Sequence, residues 1–153
     1  MYVLCDGVAV WLQGMNDLCG TFYYVFASDE APQWKQHAEA DVYFCFSTLI
    51  LENRDMYIRS LDDTDAGIHG RIQQFSDILF LHDPALHSLF KSQGIDPSFY
   101  GLRWLTTFLC REFNLPDTIR LWDSMFADLD RTEFLSYGKG VGVLRLWSVE
   151  CGG

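Results

Sequence analysis

The chain has few basic residues, no paired cysteines, no metal-binding histidine pattern and no apolar run long enough to cross a membrane. Its five cysteines, Cys5, Cys19, Cys45, Cys110 and Cys151, are scattered and odd in number with no CxxC pair, so a reducing compartment is the simplest reading. His37, His69, His82 and His87 form no HExxH, and His82 and His87 stand five apart, which turns them to different faces of a helix. No metal site is expected. Lys and Arg number 11 against 21 Asp and Glu, a formal charge of −10. A surface of that sign repels phosphate backbones and anionic lipid, which disfavours nucleic-acid binding and direct membrane insertion and favours partners with basic surfaces. The longest apolar stretch, residues 42–51, is half of the roughly 20 residues a membrane helix requires. Residues 1–12 are apolar but lack a basic leader region, are broken by Asp6 and Gly7, and show no cleavage signal, so secretion is not expected. Neither a long repeat nor a low-complexity linker divides the chain.

What is present is enough apolar material for one core: 49% of the 153 residues are hydrophobic and 16% aromatic, and a domain of this length buries roughly 70% of its unfolded surface. Apolar residues return at steps of three and four, which predicts an all-α fold. Met15, Leu18, Phe22, Val25 and Phe26 mark one helix face within residues 13–26, closed by a loop at Ala31-Pro32. Residues 39–51 carry Val42, Cys45, Phe46, Leu49 and Ile50 at the density of an inner helix with few exposed positions. After the polar connection 62–67, Ile68, Ile72, Phe75 and Leu79 give a clean amphipathic helix. Asp83 is placed as an N-cap before Pro84, and Gly94 as the stop of a short helix. Ser98 opens a further apolar run through Leu105, Phe108, Leu109 and Phe113, and Leu115-Pro116-Asp117 opens another through Ile119, Trp122 and Phe126. Past Arg131 three glycines within residues 138–142 disfavour helix. Residues 143–147 alternate like a lone short strand, which is marginal without a partner. Residues 132–153 therefore read as a poorly ordered glycine-rich tail to a helical domain at 1–131.

Most candidate sites give way to a plain structural reading. Asp63 and Asp65 have EF-hand spacing, but Thr64, Ala66 and Gln73 occupy positions that need oxygen ligands, so a solvated loop is expected. Cys45 and Cys110 fall on apolar helix faces, where inert buried thiols are the common outcome. Lys139 is followed by Gly140, not by the hydroxyl residue of a phosphate loop. Arg103-Trp104 and Arg120-Leu121-Trp122-Asp123 pair a charge with an indole, as either recognition surface or structural ion pair with a core aromatic, and the structural reading is preferred. The segment Trp11-Leu12-Gln13-Gly14-Met15-Asn16-Asp17 is the most unusual. An amide such as Gln13 can orient a water or hydrogen-bond a phosphate, and Gly14 allows another backbone to approach closely.

These residues resemble the YxQG motif of the TBC-domain family of GTPase-activating proteins for Rab GTPases. The resemblance continues through Phe22-Tyr23-Tyr24-Val25-Phe26, Glu39-Ala40-Asp41, Leu102-Arg103-Trp104-Leu105, Arg111-Glu112-Phe113 and Arg120-Leu121-Trp122-Asp123, and covers residues 8–131. It implies an all-helical multi-helix domain that binds a GTP-loaded Rab small GTPase and supplies an arginine and a glutamine finger in trans. Gln13 matches the catalytic glutamine, with Trp11, Gly14, Asn16 and Asp17 as Rab-binding neighbours. The arginine would offset charge on the phosphoryl oxygens, an effect worth roughly 10³–10⁵ in rate, and the glutamine would position the attacking water. No cofactor of its own is implied, because GTP and Mg2+ would be held by the partner GTPase. A cytoplasmic place, peripheral to endomembranes through that partner, follows.

The sequence departs from the family pattern in three places. Trp11 stands where the motif has Tyr; the first arginine is Arg54, whereas the family's arginine finger precedes the glutamine in an IxxDxxR motif; and the glycine-rich stretch replaces later helices. The chain thus reads as an internal to C-terminal part of the domain, with a non-catalytic Rab-binding or helical interaction module as the alternative role. Helix faces made to pack on absent neighbours would leave apolar surface in water at about 25 cal/mol per Å2, so marginal stability or self-association is expected.

Overall fold

The computed structural model describes residues 3–5, 8–10 and 14–128, and among them the fold is helical with one small β-ribbon. Strands β1 (Val3–Cys5) and β2 (Val8–Val10) pair antiparallel, with Val3 opposite Val10 and Cys5 opposite Val8. Seven α-helices follow in the described residues: α1 (Met15–Ala27), α2 (Pro32–Lys35), α3 (Ala38–Glu52), α4 (Ile68–His82), α5 (Pro84–Ser92), α6 (Ser98–Thr106) and α7 (Leu115–Phe126). Two 3-10 turns, Arg54–Tyr57 and Arg59–Leu61, link α3 to α4.

Helix boundaries have local causes. Asp83 accepts the amide of Leu86 at 3.0 Å and Asn114 accepts that of Asp117 at 3.0 Å, and in both helices proline occupies the opening turn, where its missing N–H costs nothing. The α5 stop falls as expected, with Gly94 at φ +68°.

One core joins the helices. Leu18, Phe46, Ile50, Leu79, Phe108 and Met125 are almost wholly excluded from solvent. Phe22 of α1 meets Trp122 of α7 with ring centroids 5.0 Å apart, and Phe75 of α4 meets Trp104 of α6 edge-on at 5.8 Å. The Tyr57 hydroxyl donates to the Thr106 carbonyl at 3.1 Å, tying the first 3-10 turn to the end of α6.

Four sequence expectations need correction. The ribbon and α2 lie where the sequence shows only an interrupted apolar start and a short loop. Helix α3 is not an inner helix: Tyr43, Phe44 and Leu51 are all more than half exposed, because α1 and β1 pack on one side and the other stays open among the described residues. The apolar run from Ser98 does not stay helical to Phe113 but leaves the helix after Thr106, which puts Cys110 on a turn and not on a helix face. The tail at 132–153, including the strand-like residues 143–147, lies outside the described residues.

Candidate functional site

The start of α1 brings together most of what the motif pointed to. Gly14 is the residue before the helix, buried, with φ +109° and ψ −19°, and its carbonyl accepts the amides of Asp17 and Leu18 at 3.0 and 3.3 Å. A side chain has no room here, for a Cβ on Gly14 would lie 2.6 Å from the Thr107 methyl. The close approach at Gly14 is made by the Thr107 side chain and not by another stretch of backbone. Asn16 and Asp17 are exposed in the first helical turn, while Trp11 and Gln13 lie outside the described residues.

Asp17 faces the turn between α6 and α7, where Arg111 Nε lies 3.4 Å from its Oδ2. That turn holds two consecutive non-glycine residues in the left-handed region, Phe108 at φ +48° and Leu109 at φ +61°. Each such residue costs on the order of 1–3 kcal/mol and persists only when its surroundings over-determine it. Both side chains are buried, the Trp122 indole N–H donates to the Phe108 carbonyl at 2.9 Å, and the Leu109 amide donates to the Trp104 carbonyl at 3.1 Å. Sequence reasoning missed this turn, and neither Phe108 nor Leu109 carries a local signal for it.

Beside the turn runs a cleft of about 330 Å3, lined by Phe99, Leu102, Arg103 and Thr106 of α6 together with Thr107 and Arg111. Phe99 is 78% exposed. Arg103 grips Glu112 through two contacts, Nε to Oε1 at 2.7 Å and Nη2 to Oε2 at 2.8 Å. The preferred structural reading of the arginine–indole pairs holds at both tryptophans: Trp104 and Trp122 are core residues, and Arg103 is an ion-pair partner.

The thiols near the site are not set up as nucleophiles. Burial pushes the Cys110 thiol up to about 12, and the neighbouring Asp17 carboxylate adds to the effect. Burial likewise raises Cys19 and Cys45. Since the folded value of Cys110 exceeds the unfolded value of about 8.5, its contribution to stability is complete below that pH and is lost as pH rises from about 8.5 towards 12. The thermal midpoint should fall over that range more steeply for the wild type than for Cys110→Ala; parallel slopes would exclude the effect. Among the described residues no helix is long and apolar enough to cross a membrane, and Asp63 of the acidic loop pairs with His69 Nδ1 at 3.0 Å.

Comparison with known proteins then bears on the whole chain. The family model described as Rab-GTPase-TBC domain matches residues 1–145. TBC1 domain family member 13 of Homo sapiens and of Mus musculus is 47% identical over 132 residues, covering 86% of this chain and 33% of the relative. The GTPase-activating protein GYP1 of Saccharomyces cerevisiae is 23% identical over 145 residues, covering 83% of this chain and 22% of that protein. The chain spans about a third or less of the length of these relatives.

Proposed function

Because this chain belongs to the Rab-GTPase-TBC domain family, we propose that it acts on a GTP-loaded Rab-family GTPase and contributes Gln13 as the residue that orients the attacking water. One observation carries the reading furthest: the glycine that follows Gln13 is locked by its backbone and by Thr107 at the head of α1, beside an open cleft. A water-orienting amide works best when its surroundings are pre-organised, and the held backbone of Gly14, next to it in sequence, supports that role. Asn16 and Asp17, exposed on the same turn, and Phe99 and Leu102 of the cleft are the surface a GTPase would contact, with Trp11 adjoining it in sequence. GTP and Mg2+ belong to the partner, and any membrane association comes through that partner's lipid anchor.

A second reading is a Rab-binding module without catalysis. Single-turnover GTP hydrolysis by a panel of Rab proteins, with the wild-type chain and with Gln13→Ala, separates the two. The catalytic reading expects acceleration that falls by about 10²-fold or more in the variant. Binding to a GTP-loaded Rab with no acceleration would establish the module instead, and neither binding nor acceleration on any Rab would refute both.

A further inference from the structure

The left-handed turn after α6 is a costly piece of backbone that carries the buried Phe108 and Leu109 out of the helix. It lies between two side chains that touch α1, Thr107 at the C-terminal end of α6 and Arg111 beyond the left-handed pair. Thr107 places its methyl against Gly14 and anchors its hydroxyl on the Arg103 carbonyl at 2.7 Å, while Arg111 reaches Asp17. The contacts that hold the turn come from elsewhere, chiefly the buried Trp122–Phe108 hydrogen bond from α7. Conformational strain held by distant contacts beside a motif is a recurring mark of pre-organisation.

We propose that residues 107–111, pinned by Trp122, form a positioning device for the head of α1, the turn that follows Gln13 in sequence: Thr107 and Arg111 are positioning residues that fix Gly14 and the first turn of the helix. The glutamine's catalytic role rests on the function proposed above; the mechanical coupling of Trp122 to the head of α1 does not.

The test is native-state hydrogen exchange on the full chain. The amides of Asp17 and Leu18, which donate to Gly14, report the head of α1, and those of residues 74–79 in α4 serve as reference. Trp122→Phe keeps an aromatic ring but removes the donor, and should lower protection at Asp17 and Leu18 at least tenfold with less than a threefold change in α4. Arg111→Ala, at an exposed position that folding does not depend on, should lower it about threefold, and Arg111→Lys should restore it. Thr107→Ser, which deletes the methyl, should act like Arg111→Ala, whereas Thr107→Val, which keeps it, should not. Uniform loss across α1 and α4, or no change at Asp17 and Leu18, would overturn the proposal. If the wild-type chain accelerates a Rab, the same variants should lower the rate at saturating chain and leave the half-saturating concentration unchanged. If it accelerates none, the functional reading fails while the exchange result still decides the coupling.

Discussion

Gly14→Ala is expected to destabilise the chain by about 3 kcal/mol and to lower its thermal midpoint by roughly 10 °C. Two costs combine. A residue with a Cβ is strained at φ +109°, and that Cβ would meet the Thr107 methyl at 2.6 Å, well inside contact distance. Thr107 has little room to yield, being 1% exposed with its hydroxyl bonded to the Arg103 carbonyl. The two costs separate in a double-mutant cycle. Thr107→Ser removes the methyl, so in the Gly14→Ala background it should recover about half of the loss, a coupling on the order of 1–2 kcal/mol. Strictly additive effects would mean that the backbone angle alone dictates glycine. Any stimulation of GTP hydrolysis should be lost with Gly14→Ala, because the strain is relieved by moving the peptide that Gln13 shares.

How far such a site can be read in advance depends on the range of its causes. Ile68, Ile72, Phe75 and Leu79 announce α4 because each repeats the same face, and all four are buried. The caps at Asp83 and Asn114 act within three residues of themselves, so the start of α5 is as legible as its proline. The motif glycine was legible for the same reason: a glycine at a helix start suggests a backbone that other residues cannot adopt. Its partner was not, since Thr107 lies far along the chain and has no pattern of its own. Apolar spacing carries a helix smoothly from Leu105 through Phe108 and Leu109, whereas the left-handed segment is held in part by the indole of Trp122, supplied by another helix. The β-ribbon is a different kind of miss. Asp6-Gly7 between two short apolar runs is a hairpin signal, but strands of three residues are too short for an alternating pattern to mark them. In α3, apolar density does not translate into burial, because density alone does not say how many faces are covered.

That distinction sets the second large effect, at two phenylalanines on opposite sides of α3. Phe46 is 1% exposed and Phe44 is 67% exposed. Phe46→Ala should cost about 3–5 kcal/mol, because the α1–α3 packing cannot close over the lost ring, and that is a large part of the 5–15 kcal/mol that holds an ordinary domain. Phe44→Ala should change stability by no more than about 0.5 kcal/mol. Its effect is expected on association. Phe44 borders an apolar groove of about 290 Å3 with Phe22, Leu49 and Phe126, and Tyr43 lies edge-on to it at 5.5 Å. A continuous open apolar patch of this kind drives self-association at micromolar concentration, opposed at low salt by the charge of −10 and less so once salt screens it. Sedimentation velocity should therefore show the wild type associating more as salt is raised, and Phe44→Ala staying closer to monomer at every salt concentration. A monomeric wild type under all these conditions would mean that the open side of α3 is not sticky, and that the only penalty for exposing its aromatic face falls on the stability of the chain itself.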